Sequence, residues 1–173
     1  MNKRMLIIGS APCVRDDIER AQCLGEFDVM AIGMDALDKY GGDFAFIASN
    51  HREDIMPIHR IMQQRHEACG SGYQYLVIAP DPWPGVQIVE PYRPPSGSSA
   101  ITGAFAAVRM GYDRIILCGC PLTGNAPEGN PYEAFRPGWE THRAVFDGIV
   151  KSMSGWTMDL LGAPTEEWLN GQG

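Results

Sequence analysis

Short apolar runs alternate along this chain with longer stretches in which apolar residues recur at helical spacing. The apolar runs are bounded by glycine, proline and polar residues, a pattern that predicts β-strands. One of them, Arg114–Cys118, is apolar at consecutive positions, which is typical of a parallel strand buried on both faces. The predicted strands are Lys3–Ile8, Phe27–Ile32, Phe44–Ala48, Tyr75–Ala79, a short edge strand Val86–Val89, Arg114–Cys118 and a last strand Trp156–Leu161.

Helices are predicted between these strands. In His51–Ala68 the apolar residues recur on one face, and Pro57 predicts an irregular first turn or a helix that begins near it. Gly111 is placed to end the helix before it with a left-handed cap. Strands that alternate with helices predict one α/β domain with a mostly parallel sheet. The predicted helices are Val14–Gln22, Met34–Tyr40, His51–Ala68, Ser99–Met110, Trp139–Met153 and a final turn Pro164–Leu169.

Length and charge narrow the classes of function. The 173 residues contain no repeat or linker, so we expect a single domain over residues 1–173. A net charge of −7 argues against general nucleic-acid binding, which needs a basic face. No apolar run is long enough to cross a bilayer, no signal peptide is evident, and the five cysteines form no CxxC pair. These features predict a cytoplasmic protein with reduced thiols; they leave its oligomeric state open.

Two strand-to-helix junctions carry small residues that suit an anionic ligand. Gly9, Ser10 and Ala11 follow the first strand, where a tight turn and a helix N-terminus can present backbone N–H groups to a phosphate. Ser98, Ser99 and Thr102 cluster at the start of a later helix, where hydroxyls can bind an anion. The alternatives are an ordinary turn with Pro12 near the helix start and simple helix capping. Neither junction matches a P-loop or a complete dinucleotide fingerprint.

Further candidates follow the second and third strands. Asn50 and His51 stand at the end of the third strand, where they could contact a base or a sugar. Asp35 follows the second strand and could contact a ribose or hold Mg²⁺. The alternative for Asp35 and His51 is that each is a solvated residue near a helix start.

A long segment rich in glycine, proline and asparagine, residues 121–138, predicts a lid-like loop. Within it Tyr132 and Arg136 could hold phosphate oxygens, and His142 directly after it could act as a general base. The alternative for His142 is a solvated position near the start of a helix. No cluster of residues has the spacing of a metal site, so none is predicted.

The order of these motifs resembles the Rossmann-like superfamily of bacterial sialyltransferases, with the related motility accessory and archaeal pterin diphosphokinase-like proteins. The tail from Ser154 to Thr165 resembles short uncharacterised phage proteins associated with that group. The resemblance implies a Rossmann-like three-layer sandwich. The segments that carry it are Gly9–Cys13, Asp28–Gly33, Asp38–Tyr40, Ala48–Asn50, Ser98–Gly103 and Met110–Gly119.

The resemblance also implies a function. It implies that Gly9, Ser10, Asn50, Ser98 and Ser99 bind the donor nucleotide, with Tyr132 on its phosphate and His142 as the base. The leading hypothesis is a nucleotide-dependent transferase that moves a glycosyl or a diphosphoryl group from a nucleotide or nucleotide-sugar donor. Diphosphoryl transfer would need Mg²⁺, with Asp35 as its acid; the cofactor is otherwise unknown. The alternative is a non-catalytic nucleotide-binding or phage accessory protein.

Overall fold

The structure is a computed structural model of the chain, and it describes residues 3–70, 74–94, 97–124 and 132–171. Residues 125–131 of the predicted lid-like loop lie outside these ranges. No helix within the described ranges is long and apolar enough to cross a membrane.

The strands are close to those predicted over the first two thirds of the chain. They are β1 (Arg4–Ile8), β2 (Asp28–Ile32), β3 (Phe46–Ala48), β4 (Leu76–Ala79), β5 (Ile88–Val89), β6 (Arg114–Cys118) and β7 (Val150–Ser152). Across the described residues they form one sheet in the order β5-β4-β3-β2-β1-β6-β7, and every neighbouring pair is parallel. The chain therefore builds outward from β1 to β5 and then crosses back, so that β1 and β6 meet where the direction of winding reverses. In open α/β sheets this switch point is where ligands bind.

Helices cover both faces of the sheet. They are α1 (Val14–Gln22), α2 (Gly33–Leu37), α3 (Arg52–Cys69), α4 (Ser99–Arg109), α5 (Arg136–Phe146), α6 (Gly155–Leu161) and α7 (Glu166–Leu169). On β1, Leu6 and Ile8 face the layer of α1, α2, α3 and α7, whereas Met5 and Ile7 face the layer of α4, α5 and α6. Right-handed crossovers explain the division, because reversing the direction of winding moves the connecting helices to the opposite face. The predicted α/β three-layer sandwich is confirmed.

The last third of the chain differs from its prediction. The helix predicted over Trp139–Met153 ends at Phe146, and β7 follows a turn at Gly148, whose φ is +71°. The segment Trp156–Leu161, predicted as a strand, is helix α6. Its start is set by Gly155 at φ +65° and by Thr157, whose hydroxyl donates to the Cys120 carbonyl at 2.7 Å. The hydrogen bond joins Thr157 to a residue far away in sequence, so the local pattern of apolar residues did not reveal it.

Two details of the helices also bear on the predictions. Helix α3 is continuous from Arg52 through Pro57, so it does not begin at the proline. Gly111 follows α4 with a φ of +83°, the conformation expected of a helix-ending glycine. The predicted loop 121–138 is shorter than expected, because a 3₁₀ turn (Tyr132–Phe135) and the start of α5 occupy its last part.

Candidate functional site

A cavity of about 270 Å³ opens at the carboxyl edge of the sheet, over the switch point between β1 and β6. The turns after these two strands form its floor. The start of α4 and the residues that follow β2 and β3 form its walls. Its lining residues are 9–11, 32–35, His51, Asp54, 97–100, 119–122, Tyr132 and Phe135.

The floor consists of two turns in close contact. The Gly9 N–H donates to the Cys118 carbonyl at 2.8 Å, and the Ala11 N–H donates to the Gly119 carbonyl at 3.2 Å. A Cβ atom on Gly9 would lie 2.4 Å from the Gly119 oxygen, so only glycine fits there. These two N–H groups therefore serve the β1–β6 junction rather than a ligand. Ser10 lies between them and lines the cavity.

The start of α4 is open toward the cavity. Ser98 is buried at the N-cap position, but its side chain makes no capping hydrogen bond. The Ser99 hydroxyl accepts a hydrogen bond from the Asn50 N–H at 3.1 Å. The backbone N–H groups of a first helical turn have no acceptor within the helix, and the helix dipole makes this end positive. The wall can therefore bind an anion.

Asn50 and Thr102 have structural surroundings that the sequence did not indicate. The Asn50 amide donates to the Gly97 carbonyl at 3.1 Å, so this residue ties the end of β3 to the turn before α4. Thr102 is fully buried in the first turn of α4. Neither residue is among those that line the cavity. Asn50 Oδ1 and Thr102 Oγ1 are both buried without a hydrogen-bond partner among the described residues.

The part of the wall that follows β2 and β3 is acidic. Asp35 and Asp54 line it together with His51, whose ring Nδ1 lies 3.7 Å from the Glu53 carboxylate. Asp54 Oδ2 accepts a hydrogen bond of 2.7 Å from the Ser49 hydroxyl. Among the described residues that line the cavity there is no lysine or arginine. A bound anion would depend on backbone N–H groups and hydroxyls for its stabilisation.

Tyr132 and Phe135 close one side of the cavity, and Arg136 follows directly after them. The Arg136 side chain does not line the cavity: it donates to the Leu122 carbonyl at 3.0 Å and to the Glu133 carboxylate at 3.2 Å. These contacts hold the 3₁₀ turn against the segment that leaves β6. Arg136 therefore positions Tyr132 rather than offering its own charge to the cavity.

His142 lies away from the cavity. Its Nε2 is hydrogen-bonded to the Tyr92 hydroxyl, and its ring packs edge-on against Phe105 at a centroid distance of 5.1 Å. Burial raises the pKa of Tyr92. The predicted base is thus part of an aromatic cluster between α4 and α5. The structure does not bring it to Gly9, Ser10, Ser98 or Ser99.

Asp17 was not predicted, and it supports the floor of the cavity. This carboxylate is 1% exposed, and it accepts hydrogen bonds from the Gly119 N–H at 2.9 Å and the Ser154 hydroxyl at 2.6 Å. The sequence did contain a signal, because Asp17 lies on the same face of α1 as the buried Val14 and Ile18. An acid on an apolar helix face needs buried partners.

The thiols around this floor have raised pKa values. Burial and the nearby Asp17 carboxylate raise the pKa of Cys13 and Cys118. Burial raises the pKa of Cys120, which lines the cavity, to about 12. All the cysteines are free, and Cys23 and Cys69 are exposed. No cluster of three or more histidine, cysteine, aspartate or glutamate residues suited to a metal is found in the described part of the chain.

Comparison with known proteins identifies the fold. No protein-family model matches the chain, and no curated protein matches it. Among solved structures, the chain is similar to the sialyltransferase CstII from Campylobacter jejuni, determined in complex with the substrate analogue cytidine-5'-monophosphate. The TM-score is 0.56 at 14% identity, and the match covers 94% of this chain and 85% of that chain. The chain therefore has a sialyltransferase-like α/β fold over most of its length.

Proposed function

We propose that this protein binds a nucleotide in the carboxyl-edge cavity and transfers the group that the nucleotide carries. The observation that carries the proposal is the position of the cavity: it lies at the switch point of a parallel sheet, beside the uncapped start of α4. The sialyltransferase of similar fold was determined with cytidine monophosphate, which supports a nucleotide as the ligand.

The phosphate of the nucleotide would bind at the start of α4. The small residues Gly97 and Ala100 line the cavity there, and Ser10 and Ser99 add hydroxyl groups to its lining. Backbone N–H groups fixed by the fold can stabilise a departing phosphate, and fixed walls hold two reactants in register. Together these effects would supply the transfer chemistry.

The charge of the cavity favours glycosyl over diphosphoryl transfer. Asp35 and Asp54 line it without a cationic side chain among the described lining residues, so each additional phosphate would raise the electrostatic cost of binding. A donor with a single phosphate between nucleoside and sugar brings less phosphate charge into the cavity than a diphosphate or triphosphate donor does. Diphosphoryl transfer would need Mg²⁺, and Asp35 is the lining carboxylate that we would assign to it.

The proposal is tested by a pair of charge variants. Ser10→Glu places a carboxylate among the cavity walls, whereas Gln64→Glu adds the same charge on the exposed face of α3. Thermal unfolding is measured with CMP, UMP, AMP and GMP, because a ligand that binds only the folded state raises the melting temperature. We expect one nucleotide to stabilise the wild type and Gln64→Glu but not Ser10→Glu. A flat response of the wild type to every nucleotide would contradict the proposal.

A binding protein without catalytic activity is a second candidate. The observation that favours it is the position of His142, which is paired with Tyr92 outside the cavity. The protein is incubated with nucleotide sugars and the released nucleotide is detected, which distinguishes a transferase from a binding protein. If the wild type releases the nucleotide and His142→Ala does not, His142 has a catalytic role. Binding without release under any condition would favour the non-catalytic protein.

A further inference from the structure

Three titratable side chains line the acidic wall of the cavity, and they differ in how firmly they are held. Asp35 is exposed on the short helix α2, and the His51 side chain is 61% exposed beside Glu53. Asp54 is half-buried, and one of its carboxylate oxygens is bonded to a fully buried hydroxyl. A group that must recognise a ligand works best when its orientation is fixed before binding.

Ser49 fixes the orientation of Asp54. Its hydroxyl oxygen accepts the His51 N–H at 3.1 Å, so the hydroxyl hydrogen is free to point at Asp54 Oδ2, 2.7 Å away. Ser49 is itself anchored to the sheet, because its N–H donates to the Ile78 carbonyl at 3.0 Å. Within the described part of the chain these bonds engage Oδ2 of Asp54, and Asp54 lines the cavity, so Oδ1 is the oxygen that we assign to a molecule there.

We propose that Asp54 is the residue that recognises sugar hydroxyls of the bound nucleotide donor. A carboxylate is a strong acceptor of hydroxyl hydrogen bonds, and it repels phosphate, so its place is against the uncharged polyol part of the ligand. The hydroxyls belong either to the ribose or to the transferred sugar, which present the same chemistry. This inference rests on the proposed function, since it assigns a role within the same cavity.

The test compares Asp54→Asn with Asp16→Asn. Each replacement removes one carboxylate at the third residue of a helix, but Asp16 is exposed and does not line the cavity. Asparagine at position 54 can still accept from Ser49, so the local fold should be kept. Affinity is measured by calorimetry for CMP, 2',3'-dideoxy-CMP and CMP-N-acetylneuraminate.

We expect Asp54→Asn to lower the affinity for CMP-N-acetylneuraminate by about tenfold or more, because hydrogen bonds to charged groups are the stronger kind. If the affinity for CMP falls equally and that for the dideoxy ligand does not, the hydroxyls are those of the ribose. If the affinity for CMP is unchanged, they belong to the transferred sugar. Asp16→Asn should match the wild type throughout.

Two results would overturn the inference, and they differ. If the wild type binds these ligands and Asp54→Asn binds them all as tightly as Asp16→Asn, the role of Asp54 is wrong while the proposed function stands. If the wild type binds none of them and none of CMP, UMP, AMP and GMP raises its melting temperature, both fail. If UMP, AMP or GMP stabilises the wild type instead, the same comparison is made with that nucleotide, its 2',3'-dideoxy form and its sugar conjugate. If circular dichroism shows that Asp54→Asn does not fold, Ser49→Ala is tested in its place. Without the Ser49 hydroxyl the Asp54 carboxylate is no longer held in one orientation, so the affinity of the protein for the same ligands should fall severalfold. An unchanged affinity would contradict the role of Asp54.

Discussion

Single residues hold the cavity in shape, and Asp17 is the clearest case. Its buried carboxylate joins α1 to the turn after β6 through Gly119 and to the start of α6 through Ser154. Arg20 lies 4.0 Å away but is itself largely exposed, so the two hydrogen bonds are the main compensation for burying the charge. Asp17 thus links three segments that no short stretch of sequence connects.

Replacement of Asp17 should therefore cost stability. Asp17→Ala leaves the Gly119 N–H buried without its acceptor, which we expect to lower the free energy of unfolding by about 1–3 kcal/mol. Asp16→Ala is the matched control, because Asp16 is the exposed acid next to it on α1. Urea denaturation gives the free energy of unfolding of both variants and of the wild type. Equal losses in the two variants would show that the Asp17 contacts contribute nothing specific.

At the scale of elements, the site depends on the contact between β1 and β6. The two strands pair over Arg4–Ile8 and Arg114–Cys118, and beyond them the Gly9 and Gly119 backbones touch. Gly119 has a φ of +65°, which a residue with a side chain rarely adopts. Small residues at this junction bring the two turns together as one floor.

A methyl group at this junction should disturb both turns. Gly9→Ala places a Cβ atom 2.4 Å from the Gly119 oxygen, and we expect a loss of about 1–3 kcal/mol in the free energy of unfolding, as for other overpacked sites. Gly41→Ala is the control, since a Cβ atom there meets nothing within 4 Å. Chemical denaturation gives the free energy of unfolding of Gly9→Ala and of Gly41→Ala, and the two values are compared. A Gly9→Ala protein as stable as Gly41→Ala would contradict the close packing of the strands' ends.

Elements were predictable where local pattern decides them. The strands β1 and β6 and helix α1 follow from apolar periodicity and turn residues, and α1 has the predicted bounds. Helix α6 did not follow, because Trp156 and Thr157 suit a strand equally well, and it is the contact of Thr157 with Cys120 that favours the helix. Tertiary contacts decide such short segments.

At the scale of the whole molecule, the parallel sheet explains why part of the site could be predicted. Residues that follow different strands meet at one edge, so Ser10, Asp35, Ser99 and Tyr132 line one cavity although they are far apart in sequence. His142 is not among these lining residues, because seven residues of helix α5 beyond Phe135 span about 10 Å, and its predicted role as a base stays a prediction. Asp54 was not predicted, because the role that we propose for it depends on its bond to the buried Ser49.

The central claim is that a nucleotide binds at the carboxyl edge, and a titration followed by NMR tests it most directly. The most stabilising of CMP, UMP, AMP and GMP is added to ¹⁵N-labelled wild-type protein, and the changes in backbone amide chemical shift are mapped along the chain. We predict that the largest changes fall at Ser10, at residues 97–100 and at residues 119–122, where the cavity walls and floor lie. Changes centred on the opposite edge, around residues 22–29, or no change with any of the four nucleotides at millimolar concentration, would contradict the account.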